Sequence, residues 1–158
     1  MSTPDVVKAW RLVKARLANQ AFTGEGARLY GGRWNSPGTP IIYTSATASL
    51  AVLEVFANVQ RSGLLAAYML AECEFDERLV TRVSIADLPA NWWRSPASPE
   101  LQVIGDRWSI ERTSAVLQVP SSIIERENNF LLNPLHDDFR RVRLSRPEPF
   151  RIDLRLLS

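Results

Sequence analysis

Apolar positions fall in short separated runs along most of the chain, and each run predicts one element. Val6 to Val13 suits a first strand, with Trp10-Arg11 near its end. Ala15 to Tyr30 mixes Gly24, Gly26 and small residues and predicts a loop. The β-branched run Ile41-Ile42-Tyr43-Thr44-Ser45 predicts a buried strand. Ala46 to Val59 predicts a helix, with Thr44, Ser45 or Thr47 as N-cap and Ser62-Gly63 closing it. Val52, Val55, Phe56 and Val59 make one apolar stripe on it, and Leu50, Leu53 and Ala57 make another, so the helix is expected to be buried. Leu65 to Phe75 alternates loosely as a long strand, with Leu79 to Val83 as a shorter one. Leu88 to Glu100, with three prolines and Trp92-Trp93, predicts a loop, and Leu101 to Thr113 a helix. Strands follow at Val116 to Val119, ending at Pro120-Ser121-Ser122, and at Asn129 to Leu132, stopped by Asn133-Pro134. Phe150, Ile152, Leu154 and Leu156 alternate as a last strand, Phe150 to Leu156. Many short strands and a few helices out of strict βαβ order predict an α+β fold. No repeat or low-complexity linker divides residues 1–158, so one domain is expected.

Residues 31–54 concentrate the unusual chemistry. Gly31-Gly32-Arg33-Trp34-Asn35-Ser36-Pro37-Gly38 is a turn-rich loop holding one arginine. Between Ala48 and Val59, Glu54 is the one charged residue. A carboxylate on so apolar a helix is costly unless paired or hydrogen-bonded. Two readings stay open: a core carboxylate paired with one of the arginines, or a functional acid lining a cleft.

Composition narrows the classes. Apolar residues make up 46% of the 158 and charged residues 23%, as in an ordinary globule with a real core. A net charge of +2 gives no reason to expect nucleic-acid binding. Of 19 basic residues only Lys8 and Lys14 are lysines, and arginine suits planar recognition of phosphate or carboxylate. Cys73 is the single cysteine and His136 the single histidine, so neither a disulfide nor a Cys- or His-rich metal site is expected. No apolar run reaches membrane-spanning length and the first residues lack a signal-peptide pattern, so a cytoplasmic protein is expected. G-x-G-x-x-G, P-loop and H-E-x-x-H motifs are absent. Ser121 and Ser122 lack the G-x-S-x-G elbow of a serine hydrolase. Leu135-His136-Asp137-Asp138 reads as a helix start, and Asp137-Asp138 against Arg140-Arg141 as a solvated surface.

An arginine, tyrosine, glutamate and serine constellation remains. Arg11 and Arg33 suit a diphosphate, which guanidinium groups grip bidentately. Tyr43 offers a ring to stack and a hydroxyl to bond. Glu54 suits sugar hydroxyls and a developing cation. Together these meet the needs of a reaction that breaks a glycosidic bond in a dinucleotide through an oxocarbenium-like transition state.

Several segments, in order, resemble one family. They are Trp10-Arg11, Phe22-Thr23-Gly24-Glu25-Gly26-Ala27, Gly31-Gly32-Arg33-Trp34-Asn35, Tyr43-Thr44-Ser45, Leu53-Glu54, Gly105-Asp106-Arg107-Trp108, Val119-Pro120-Ser121, and Asn129 through Pro134 with His136. On these the chain resembles the RES-domain family, toxins of bacterial toxin–antitoxin pairs named for arginine, glutamate and serine. The resemblance implies a fold like the diphtheria-toxin type of ADP-ribosyltransferase, with split central β-sheets and a few helices, and NAD as substrate rather than a metal cofactor. It implies NAD binding on Arg11 and Arg33, the pocket tyrosine at Tyr43, the catalytic acid at Glu54 and the family serine at Ser121, with Ser122 the adjacent alternative. Trp34, Asn129 and Asn133 match motif positions too. A small cognate antitoxin occluding the active site is the implied partner.

The acceptor of ADP-ribose stays open among inorganic phosphate, water and a protein side chain, phosphoribosyl pyrophosphate synthetase lying within the family's range of targets. A binding module with the same fold and no chemistry is the reading from another class, and intact Arg33, Tyr43 and Glu54 argue against it. An RNase lacks the usual histidine pair.

Overall fold

Alternating burial along β-branched and aromatic runs builds the centre of the molecule. The computed structural model describes residues 5–59, 63 and 65–157. The strands among them are β1 (Val6–Lys14), β2 (Ile42–Ser45), β3 (Tyr68–Asp76), β4 (Val80–Arg82), β5 (Val116–Pro120), β6 (Asn128–Leu132), β7 (Arg143–Leu144) and β8 (Glu148–Phe150). They join in one sheet of order β4-β5-β6-β2-β1-β3-β7, with β8 also on β3. The β4–β5 pair is parallel and the remaining pairs are antiparallel. The helices are α1 (Glu25–Tyr30), α2 (Ala48–Asn58) and α3 (Pro99–Ile110).

Successive strand residues face opposite sides, which gives the sheet two cores. Phe130 and Leu132 pack with Ala9, Ile42, Phe75 and Val116 on one side. Leu131 packs with Trp34, Leu117, Val119, Trp92 and the α3 residues Leu101 and Trp108 on the other. Cys73 is buried, and burial pushes its thiol up to about 12, which leaves it inert.

The sheet is weakly joined in the middle. β1 pairs with β3 along its whole length, from Val6↔Asp76 to Lys14↔Tyr68. β2 pairs with β6 from Ile42↔Leu132 to Ser45↔Asn129. Between β1 and β2 the registered pair is Trp10↔Ser45 alone among the described residues. Beyond it the two halves diverge, and the gap between them becomes the cleft described below.

The structure corrects several expectations. The 15–30 segment is a 3₁₀ turn, Ala15–Gln20, followed by α1, not a loop. The signals for α1 are the Glu25–Arg28 ion pair one turn apart and Gly31 just past its end. Thr47 is the N-cap of α2, its hydroxyl accepting from the Leu50 amide at 3.0 Å. Ser62 lies outside the described residues, so its part in closing that helix does too. α2 is not buried all round: only Leu50 and Ala51 are fully covered, and Leu53 is 41% exposed. It rests on β1 and β2 where they separate, so a single face finds something to cover it. The last strand ends at Phe150 rather than Leu156. Asp153 turns the chain there, its carboxylate accepting from the Arg155 amide at 3.0 Å, and the expected strand residues Leu154 and Leu156 stay 69% and 60% exposed.

α3 is shaped to hold the arginine turn. Pro99 opens it behind Ser98, and Gly105 meets the turn backbone. A methyl on Gly105 would stand 1.7 Å from the Trp34 carbonyl oxygen. Gly105→Ala therefore sets helix propensity, which favours Ala by ~1 kcal/mol, against an overpacking cost of ~1–3 kcal/mol or more. Packing is expected to win, lowering the urea midpoint, whereas Gly26→Ala, with nothing within 4 Å of the added carbon, should be neutral or slightly stabilising. A wild-type midpoint for Gly105→Ala would refute this account of the contact.

Candidate active site

The cleft between the diverging halves holds about 580 Å³, within the range of small-molecule sites. Its walls come from β1, β2, α2, the arginine turn, the 93–95 loop and the segment after β5.

Arg11 follows Trp10, the residue paired across the junction. Its Nη1 donates to the Tyr43 carbonyl at 2.9 Å, so a side chain takes over where the backbone ladder stops. Its Nε is buried and finds no acceptor among the described residues. Burial pulls the guanidinium down to about 10, opposed by Tyr43, so it is still charged near neutrality. A half-buried cation with one orphaned buried donor is costly, and an anion in the cleft would offset that cost.

Arg33 sits at the tip of a tight turn. The Gly32 amide donates to the Asn35 carbonyl at 3.0 Å to close it. Asn35, fully buried, is the knot: its Nδ2 donates to the carbonyls of Ala27, Ser36 and Thr39 at 2.9, 3.1 and 3.0 Å. From α3, Gln102 Nε2 donates to the Gly32 and Asn35 carbonyls, and Asp106 accepts from the Ser36 amide and hydroxyl. Arg33 Nη1 donates to the Trp92 and Arg94 carbonyls at 3.0 and 2.9 Å, with no bond to Nε or Nη2 among the described residues. Both Arg33 and Glu54 line the cleft, and burial lowers the Arg33 pKa while the Glu54 charge raises it.

Tyr43 lines the cleft, but its hydroxyl is already committed. It donates to Asn35 Oδ1 at 2.6 Å and accepts from the Trp34 amide at 3.0 Å. A Cβ on residue 32 would stand 2.6 Å from this hydroxyl, so glycine at that position admits the phenol. Desolvation raises the phenol above its ordinary range, so it remains a neutral donor. Tyr43 thus anchors the arginine turn while lining the cleft.

Glu54, half-buried on α2, makes no ion pair among the described residues. Its Oε1 accepts from the Ser121 hydroxyl and from Asn129 Nδ2, both at 2.8 Å. Ser121, fully buried, also accepts from the Ile123 and Ile124 amides at 3.1 Å each. Those two donors occupy the oxygen's lone pairs and direct its one proton to Glu54. Ser122 lines the cleft and makes no hydrogen bond to the acid among the described residues. The structure thus brings Arg11, Arg33, Tyr43 and Glu54 to the walls of one cleft, whereas Ser121, expected to bind NAD, lies buried behind the acid and outside the lining.

Sequence reading missed Asn129 as a partner of Glu54. The similar Asn133 only caps backbone, with Nδ2 on the Ser109 carbonyl at 3.0 Å and Oδ1 on the Leu135 amide at 3.0 Å. Register separates them: Asn129 pairs with Ser45 at the junction end of β2. His136 is likewise structural, its Nδ1 accepting from the Asp138 amide at 2.9 Å. Trp92 is buried, whereas Trp93 is 54% exposed on the cleft wall with the Arg94 guanidinium 5.7 Å over its ring.

Tyr43→Phe isolates the anchoring role. It leaves Asn35 Oδ1 and the Trp34 amide without their partner, which should cost ~1–3 kcal/mol of unfolding free energy. Urea denaturation measures this, and an unchanged free energy would mean that the phenol does not hold the turn.

Comparison with known proteins follows the same outline. The family model described as RES domain matches residues 8–153. A protein of Yersinia enterocolitica serotype O:8 named Toxin Res is 37% identical over 148 residues, covering 93% of this chain and 97% of that protein. The Prs ADP-ribosylating toxin of a Sphingobium species is 30% identical over 153 residues, covering 94% of this chain and 95% of that protein. Among solved structures, the chain is similar in fold to one in the crystal structure of the M. tuberculosis MbcT–MbcA toxin–antitoxin complex. The TM-score is 0.72 at 21% identity, covering 93% of this chain and 85% of that one.

Proposed function

The chain belongs to the RES domain family, and from that premise we propose that it is an NAD-consuming toxin whose cleft breaks the nicotinamide–ribose bond. One observation carries the reading: a carboxylate fixed on one oxygen by two donors faces a cleft that also holds a half-buried arginine with an orphaned donor and a second, preformed arginine. The relative named as an ADP-ribosylating toxin supports it.

Each residue then has a role. Arg11 and Arg33, the latter through Nε and Nη2, bind the diphosphate. The Tyr43 ring borders the nicotinamide end. Glu54 presents Oε2 to the ribose hydroxyls. As the C1′–N1 bond breaks, the electron pair leaves with nicotinamide and positive charge grows on the sugar. A fixed carboxylate stabilises that charge more than it stabilises the ground state. Ser121 holds the acid and does not act as a nucleophile, since its proton is spent on Glu54. An acceptor oxygen or other nucleophile then attacks C1′. A protein side chain is the acceptor this reading favours, and phosphate is the competitor to be tested.

The neighbour's antitoxin complex supports a partner of the same kind here. The partner would be a small antitoxin inserting a chain end or loop toward Arg11 and Arg33, where a terminal carboxylate mimics phosphate. Arg33→Ala is then expected to weaken that partner and NAD together, and free-enzyme affinity for NAD in the stable complex would refute occlusion. Among the described residues no helix is long and apolar enough to cross a membrane; the cytoplasm, where NAD turns over, is the proposed compartment.

The test is nicotinamide release by the purified chain in water alone, with added phosphate, and with a bacterial protein extract supplied as acceptor. Glu54→Gln should lower turnover by about 10²–10³, the range for removing one electrostatic stabiliser, while the NAD affinity measured by calorimetry changes little. Acceleration by phosphate would make the chain a phosphorylase. Failure of the folded wild type to release nicotinamide, or full turnover by the Gln variant, would overturn the reading.

A further inference from the structure

The bond chain at Glu54 continues past Asn129. Ser45 Oγ donates to Asn129 Oδ1 at 2.8 Å, and Asn129 Nδ2 donates to Glu54 Oε1 at 2.8 Å. Ser45 and Asn129 are directly opposed in the β2–β6 register, and Ser45 is also the residue that pairs with Trp10 where the sheet halves meet. One 4%-exposed serine therefore ties the sheet junction to the acid through a single amide.

The amide makes this link directional. Its Nδ2 donates to the carboxylate, and its Oδ1 is left needing a donor, which Ser45 supplies. A hydroxyl on Oδ1 pins the side chain and polarises the N–H that faces Glu54. On the other side, Ser121 is fixed by the Ile123 and Ile124 amides. Both donors converge on Oε1, which leaves Oε2 without a hydrogen bond among the described residues. We infer that Ser45, acting through Asn129, is a positioning residue for the acid: it sets which carboxylate oxygen meets the ribose and holds it there.

This inference rests on the reading of the cleft as an NAD-cleaving site and extends it to a residue that contributes no charge. Ser45 and Asn129 also line the cleft, so direct contact with substrate is the competing explanation, and a double-substitution experiment separates the two. Glu54→Asp shortens the acid by one methylene, which withdraws it from Asn129 and Ser121 while keeping the charge. If Ser45 acts through Asn129 on the acid, Ser45→Ala has nothing left to position in that background.

The experiment measures nicotinamide release and thermal unfolding for wild type, Ser45→Ala, Ser45→Thr, Asn129→Asp, Glu54→Asp and the Ser45→Ala/Glu54→Asp double variant. Losing the support of a hydrogen bond to a charged group corresponds to roughly a tenfold fall in kcat for Ser45→Ala. The KM should stay within about twofold, and Ser45→Thr, which keeps the hydroxyl, should restore turnover. Asn129→Asp, isosteric but placing a second carboxylate against Glu54, should lower kcat by about a hundredfold or more. In the double variant, Ser45→Ala should add nothing to the effect of Glu54→Asp. Wild-type kcat in folded Ser45→Ala or Asn129→Asp overturns the inference, and so does a Ser45→Ala loss that persists in full beside Glu54→Asp. In either case an active wild type leaves the NAD reading standing, whereas a folded wild type that releases no nicotinamide overturns both.

Discussion

The site depends on an interrupted sheet. β1 gives its whole length to β3 and β2 gives its whole length to β6, yet the two meet at Trp10↔Ser45 alone among the described residues. Buried backbone groups along diverging edges still need partners. Arg11 meets one such need, reaching from β1 to the Tyr43 carbonyl on β2. The bond that steadies the split thus places a cation inside it. A continuous ladder through these strands would leave neither the opening nor any reason to bury that arginine.

The second arginine is held in the opposite way. Arg11 is half-buried with a donor unmet, while Arg33 stands on a turn whose bonds come from Asn35, Tyr43, Gln102 and Asp106. The turn rests on α3 only because residue 105 has no side chain. Stability is spent at the first arginine and recovered around the second, a common pattern in functional sites. The acid completes the arrangement through neutral donors, Ser121 and Asn129, rather than an ion pair. Neutral donors fix the carboxylate while leaving its charge available to a cationic transition state.

Much of this was legible in the sequence where one local rule decided the outcome. The strand at Ile42, the helix capped near Thr47 and the stop at Asn133-Pro134 follow from periodicity, capping and turn chemistry. Glu54 stood out because a lone charge on an apolar helix requires a reason. The burial of α2 was not legible: apolar content states what a helix can cover, and the divergence of β1 and β2 decides how much it does cover. The end of β8 was not legible because alternation in Phe150 to Leu156 carries no information about whether a partner strand is there. The Tyr43 hydroxyl, Asn129 and Ser45 depend on register and long-range approach, with partners 8, 75 and 84 residues away in sequence. The resemblance carried by the Gly-Gly-Arg-Trp-Asn and Leu-Glu segments reached the fold and the family, and the contacts supply the physical reason for several of those motif residues.

The most direct measurement is a crystal structure of the Glu54→Gln variant with intact NAD bound. The account predicts the diphosphate within hydrogen-bonding distance of the Arg11 and Arg33 guanidinium groups, the nicotinamide ribose against residue 54, and the Asn129 and Ser121 donors unmoved. NAD lodged outside the β1–β2 opening, or in it with the diphosphate away from both arginines, would contradict it.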